Sequence, residues 1–108
     1  MAAPIILEGH GTQVTTTSEA NLFELQATKY YETYINLKNM TGGDTFVIRT
    51  YIWDEQLGEY MSIDKKTPTG VQDPVAIMID FRAGTRYKVT IQKTGGSNQT
   101  VTWLRFEV

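Results

Sequence analysis

Period-two alternation of apolar and polar positions runs through most of this chain of 108 residues, the pattern of half-buried β-strands. It is clearest from Thr85 to Val108. Tyr87, Val89 and Ile91 alternate with Lys88, Thr90 and Gln92, and the pattern breaks at Thr94-Gly95-Gly96-Ser97-Asn98. It resumes with Val101, Trp103 and Arg105 on one face and Thr102, Leu104, Phe106 and Val108 on the other. Alternation on both sides of a Gly-rich break predicts a β-hairpin. Trp103, Leu104 and Phe106 then belong to the strand that closes the core, and the chain reads as a complete domain.

Upstream, residues 1–11 read as an N-terminal arm, with Ile5, Ile6 and Leu7 between Pro4 and the pair Gly9, Gly11. Residues 12–108 form the single domain. Thr12 to Thr17 is β-branched with little apolar content, which predicts an edge strand. Ser18 to Lys29 could be capped as a helix by Ser18, but a short isolated helix is marginal, so Leu22 to Gln26 is read as a strand. Tyr31, Thr33, Ile35 and Leu37 alternate with Tyr30, Glu32, Tyr34 and Asn36, and Thr41-Gly42-Gly43-Asp44 then turns.

Thr45 to Trp53 is the longest β run, with Phe46, Ile48 and Ile52 on one face and Val47, Arg49, Tyr51 and Trp53 on the other, a central strand covered on both sides. A turn at 54–58 leads into a strand over 59–65, a loop spans 66–73, and Pro74 opens a strand over 75–81. Seven or eight short strands with turn signals between them predict an all-β, antiparallel β-sandwich of immunoglobulin-like or jelly-roll order, with an extended N-terminal arm. A closed barrel is the alternative.

Composition narrows the function classes. A length of 108 residues suits one core, and 41% hydrophobic with 20% charged residues suits a folded domain. With no cysteine, disulfides, thiolate metal sites and Cys nucleophiles are all excluded. A net charge of −2 gives no pull toward nucleic acid or anionic lipid. No apolar run approaches the roughly 20 residues of a membrane helix, and the N-terminus lacks the basic start of a signal peptide before it meets Glu8.

Candidate chemistry is sparse. His10, the only histidine, sits between two glycines and reads as a solvated tip. A zinc site would lack its usual ligands, and no calcium-loop spacing occurs. Glu24, Glu32, Asp54, Glu59 and Asp80 could supply a glycosidase pair, but carboxylates at alternating strand positions usually make a solvated face. No P-loop, dinucleotide fingerprint or nucleophile elbow is present. The sequons Asn39-Met40-Thr41 and Asn98-Gln99-Thr100 fall in turns, where a Thr-rich chain produces them by chance. The expectation is therefore no enzyme, catalytic residue, cofactor or metal. Tyr30, Tyr34, Tyr51, Trp53 and Tyr60 are more suggestive, because an exposed Tyr/Trp strip can stack on sugars or form a protein interface.

Three segments, Tyr34 to Met40, Gly43-Asp44-Thr45 with Val47 to Tyr51, and Gln72-Asp73-Pro74, together with Tyr87 to Gly95, carry a resemblance. They resemble small β-sandwich proteins encoded among the structural genes of tailed bacterial and archaeal viruses. The resemblance covers residues 30–96 and implies a virion structural protein, such as a head-decoration protein that stabilises a capsid. Its partners would be the capsid protein or copies of itself in a homo-oligomer, with no nucleic acid or membrane involved. Ile5, Ile6 and Leu7 would dock the arm on a neighbour, and Tyr30, Tyr34, Trp53 and Tyr60 would be further contacts. The alternative is a carbohydrate-binding module, extracellular or on a cell surface, that holds a glycan on the Tyr/Trp strip.

Overall fold

The computed structural model describes residues 6–107, and its alternating segments become eight antiparallel strands. These are β1 (Ile6–Val14), β2 (Ala20–Gln26), β3 (Tyr31–Asn36), β4 (Thr45–Asp54), β5 (Glu59–Lys66), β6 (Ala76–Phe81), β7 (Arg86–Gly95) and β8 (Thr100–Glu107). They form two four-stranded sheets of order β1-β8-β3-β6 and β2-β7-β4-β5. The all-β sandwich expectation holds, and of the two strand orders it is the jelly roll that forms.

Its logic is one long hairpin rolled up. β1 pairs with β8, β2 with β7, β3 with β6 and β4 with β5, so Ile6 lies opposite Glu107, Ala20 opposite Ile91, Tyr31 opposite Phe81 and Asp54 opposite Glu59. The fold-back point is the turn after Asp54, whose Oδ1 accepts the backbone N–H groups of Gln56 and Leu57. That turn therefore closes the only hairpin of consecutive strands among the described residues.

The hairpin expected at 85–108 does not form. β7 lies in one sheet and β8 in the other, and residues 96–99 carry the chain across the sandwich. Asp44 fixes that crossing. Fully buried, its carboxylate accepts the N–H of Thr41 and of Ser97, the Thr41 hydroxyl and the Gln99 amide. Those donors favour its charged form and hold its pKa down at about 2. Gly96 has φ +81°, and a Cβ there would sit 2.3 Å from Asp44 Oδ1, so no other residue fits the arch.

The sandwich core takes side chains from both sheets. Phe46, Phe81, Ile35, Leu37, Ile48, Ile91, Val89 and Val101 are its largest fully buried apolar members. Phe23 bridges the sheets, 5.7 Å from the Phe81 ring and 4.7 Å from Trp103. The β2 register slips between Asn21 and Phe23, and this bulge turns the consecutive Leu22 and Phe23 both inward.

The proposed arm needs correction. Residues 6–11 are the first part of β1, paired with β8, while residues 1–5 lie outside the described residues. The edge strand expected at 12–17 accordingly starts six residues earlier and ends at Val14. Packing explains Gly9 and Gly11: Cβ atoms there would lie 3.0 Å from an Arg105 guanidinium nitrogen and 2.6 Å from Trp103 Nε1. At Gly11 a Cβ would clash with the Trp103 ring, and at Gly9 it would press on the Arg105 guanidinium. Buried Arg105 lies 5.3 Å from the Phe23 ring, 5.1 Å from Trp103 and 5.8 Å from Tyr31, and donates from Nε to Glu8, the extra residue in the β1 bulge.

Candidate functional site

Because the strands alternate, each sheet also has an outer face, and the two differ in chemistry. On the β2-β7-β4-β5 sheet, Tyr51, Trp53 and Tyr60 face outward with Arg86 and Lys88 from β7. Register requires this: Tyr51 lies opposite Lys88, and Trp53 opposite Tyr60. The Arg86 guanidinium lies 4.7 Å from the Trp53 ring centre. Lys88 Nζ lies 4.6 Å from Tyr51 and 4.7 Å from Tyr60, the geometry of cation–π contact.

The hydroxyls are engaged as well. Tyr51 donates to Glu19 at 2.6 Å and Tyr60 donates to Glu24, while Glu19 also accepts from Thr90. The Thr90 and Tyr51 hydrogen bonds hold the Glu19 carboxyl below the usual range. Burial and the bond to Glu24 push the Tyr60 phenol up to about 12, and burial and the bond to Glu19 raise that of Tyr51. The rings stand edge to face, Trp53 on Tyr60 at 81° and Tyr51 on Tyr60 at 71°. They make a cross-braced cluster instead of a flat platform.

On the β1-β8-β3-β6 sheet the outer face carries an apolar patch among polar residues. Pairing places His10, Leu104, Tyr34 and Met78 in one row across all four strands, with Leu7 and Phe106 in the next. Leu7, Met78 and Leu104 are 49%, 48% and 44% exposed. Tyr34 packs edge-on to Phe106 at 5.9 Å and donates to Glu32 at 2.8 Å, a bond that raises the Tyr34 phenol pKa. Glu32 and Asp80 complete the row of Leu7 and Phe106, and Thr12, Thr102, Asn36 and Ala76 form the row on the other side.

A third feature is a cleft of about 380 Å³ between the sheets, lined by Tyr30, Ile52, Ile63, Asp80, Phe81, Arg82 and Tyr87. It opens where β5 and β6 form the sheet edges, beside half-exposed Met61 and Ile63.

The expected site residues thus separate. Ile5 lies outside the described residues, Ile6 opens β1, and Leu7 sits in the apolar face instead of a free arm. Tyr34 belongs to that same face, Tyr30 to the cleft rim, and Trp53 and Tyr60 to the opposite sheet. Tyr30, Tyr34 and Trp53 therefore do not form one strip. The sequence reading missed Leu104 and Phe106 as surface residues, placing them in the core instead. Alternation in β8 separates them from Trp103 correctly, but both of its faces are apolar and nothing local says which turns inward. Among the described residues, no three His, Cys, Asp or Glu side chains gather as metal ligands do. No family model, no curated protein and no solved structure matches this chain.

Proposed function

We propose that this protein is a non-enzymatic virion structural protein, a capsid-decorating or stabilising subunit that works by protein–protein contact. The contact surface is the outer face of the β1-β8-β3-β6 sheet, and the partners are capsid protein and further copies of this chain. One observation carries the reading: Leu104, Tyr34, Met78, Leu7 and Phe106 adjoin one another as an apolar patch on a solvent face, with His10, Glu32 and Asp80 completing the same two rows. An antiparallel sheet with one solvated face normally places polar residues there, and apolar patches with polar rims mark interaction sites. Covering the exposed halves of Leu104 and Met78 would contribute about 1 kcal/mol each. Jelly rolls serve in viral capsids and in lectins alike, so the fold alone does not decide between them.

The glycan-binding alternative depends on Tyr51, Trp53 and Tyr60. Sugar stacking needs an open ring face, whereas here Arg86 and Lys88 occupy ring faces and the planes cross near right angles. That places it second. Glycan titration followed by Trp53 fluorescence is expected to be flat, and saturable quenching would reverse the order. For the leading reading, sedimentation velocity of the whole chain should show an oligomer, and Leu104→Asp should shrink it while leaving far-UV circular dichroism unchanged. A wild-type chain that stays monomeric at every concentration contradicts the assembly reading.

A further inference from the structure

The two sheets have four free edges: β1 and β6 in one, β2 and β5 in the other. Three are interrupted. Register slips between Leu7 and Gly9 on β1, between Asn21 and Phe23 on β2, and at β5 opposite the Thr50–Tyr51 step. β5 also ends in Lys65-Lys66. Bulges and lysines are the devices that keep free edges from pairing with another chain. β6 has neither. It pairs with β3 residue for residue from Phe81 to Ala76, and its sequence Ala-Ile-Met-Ile-Asp-Phe contains no Lys, Arg, Gly or Pro. Pro74 and Arg82 stand just outside it.

We propose that β6 is the edge at which a second copy of this chain adds, antiparallel about a two-fold axis at Met78, making one eight-stranded sheet. The register follows from the residues. With Met78 opposite Met78 of the second copy, Ile77 meets Ile79, Ala76 meets Asp80 and Val75 meets Phe81, so no like charges are opposed. Centring the axis on Asp80 would set two carboxylates against each other. Centring it on Ile79 would set Asp80 against Met78 and break the apolar row.

The Met78 register instead runs Leu104, Tyr34 and Met78 straight into the same three residues of the second copy, joining two apolar faces into one. It also brings exposed Val75 of the second copy to Phe81, at the mouth of the apolar cleft. An isologous two-fold contact of this kind closes at a dimer. Only the choice of register rests on the reading of this sheet as an assembly face; edge pairing itself is a separate contact.

The test uses sedimentation velocity on full-length protein carrying Leu104→Asp. That substitution lies two strands from the edge and disables the face alone. The Leu104→Asp protein should sediment at twice the 12.2 kDa chain mass. Adding Met78→Lys should halve the mass by placing two lysines on the axis, and adding Met78→Glu should do the same. Mixing those two proteins should restore the dimer, since Lys then faces Glu. A monomeric Leu104→Asp protein overturns edge pairing, and so does a mixture of the folded charge variants that remains monomeric. Neither result bears on the face contact, which is read from the loss of larger species between wild type and Leu104→Asp.

Discussion

On one outer face of the sandwich, Tyr51, Trp53 and Tyr60 have rings and hydroxyls engaged by Arg86, Lys88, Glu19 and Glu24. On the other, Leu7, Leu104 and Met78 stand about half exposed, while Tyr34 packs edge-on to Phe106 and spends its hydroxyl on Glu32. Aromatic content alone would have chosen the first face as the functional one. Partner accounting chooses the second. An aromatic residue whose polar and cationic partners are already in place is part of the structure. Leu104, Met78 and Leu7 are left half exposed, and the contact proposed above lies on them.

Both faces depend on one core, so Phe46→Ala, at a fully buried position, should cost about 3–5 kcal/mol and degrade both. Denaturant unfolding measures this, and a loss below about 1 kcal/mol would mean that the sandwich is not held by that core. Trp53→Ala should cost roughly 1–2 kcal/mol, the aromatic and cation–π contacts it removes, with no change in oligomeric mass. If it dissolved the assembly instead, the roles of the two faces would be exchanged.

The pH dependence is the subtler probe. Tyr60 titrates at about 12 in the folded chain, against about 10 unfolded. A raised pKa means that its stabilisation is whole below about pH 10 and is lost as pH climbs toward 12. Asp44 runs the other way: held at about 2 against about 3.9 unfolded, it stabilises above pH 4 and lets go as pH falls toward 2. Melting temperature should therefore be level at neutral pH and drop at both extremes. Tyr60→Phe should remove part of the alkaline drop only, and Asp44→Asn part of the acid drop only. An alkaline limb unaltered by Tyr60→Phe would deny that the cross-braced cluster stabilises the fold.

Local pattern carried far in the sequence, and its limits have physical causes. The strands from Tyr31 to Phe81 and their buried members, Tyr31, Thr33, Ile35, Phe46 and Ile48, follow from alternation, because side-chain period is a property of neighbouring residues. Which strand pairs with which is not. The Gly95-Gly96 break looks like a hairpin turn, but the carboxylate of Asp44, some fifty residues earlier, pulls Ser97 and Gln99 across the sandwich instead. Gly9 and Gly11 read as a flexible arm for the same reason: their purpose is to clear Arg105 and Trp103, nearly a hundred residues away. The Tyr/Trp strip failed as a unit because Tyr34 and Trp53, near in sequence, belong to different sheets. What could have been noticed is Leu104 and Phe106 beside Trp103, a strand with too many apolar faces for one core.

The most direct measurement is the sedimentation mass of three full-length proteins side by side: wild type, Leu104→Asp and Trp53→Ala. The account predicts that wild type and Trp53→Ala share one oligomeric mass while Leu104→Asp falls to a smaller species with its circular dichroism intact. Loss of the assembly in Trp53→Ala, with Leu104→Asp unchanged, would contradict it.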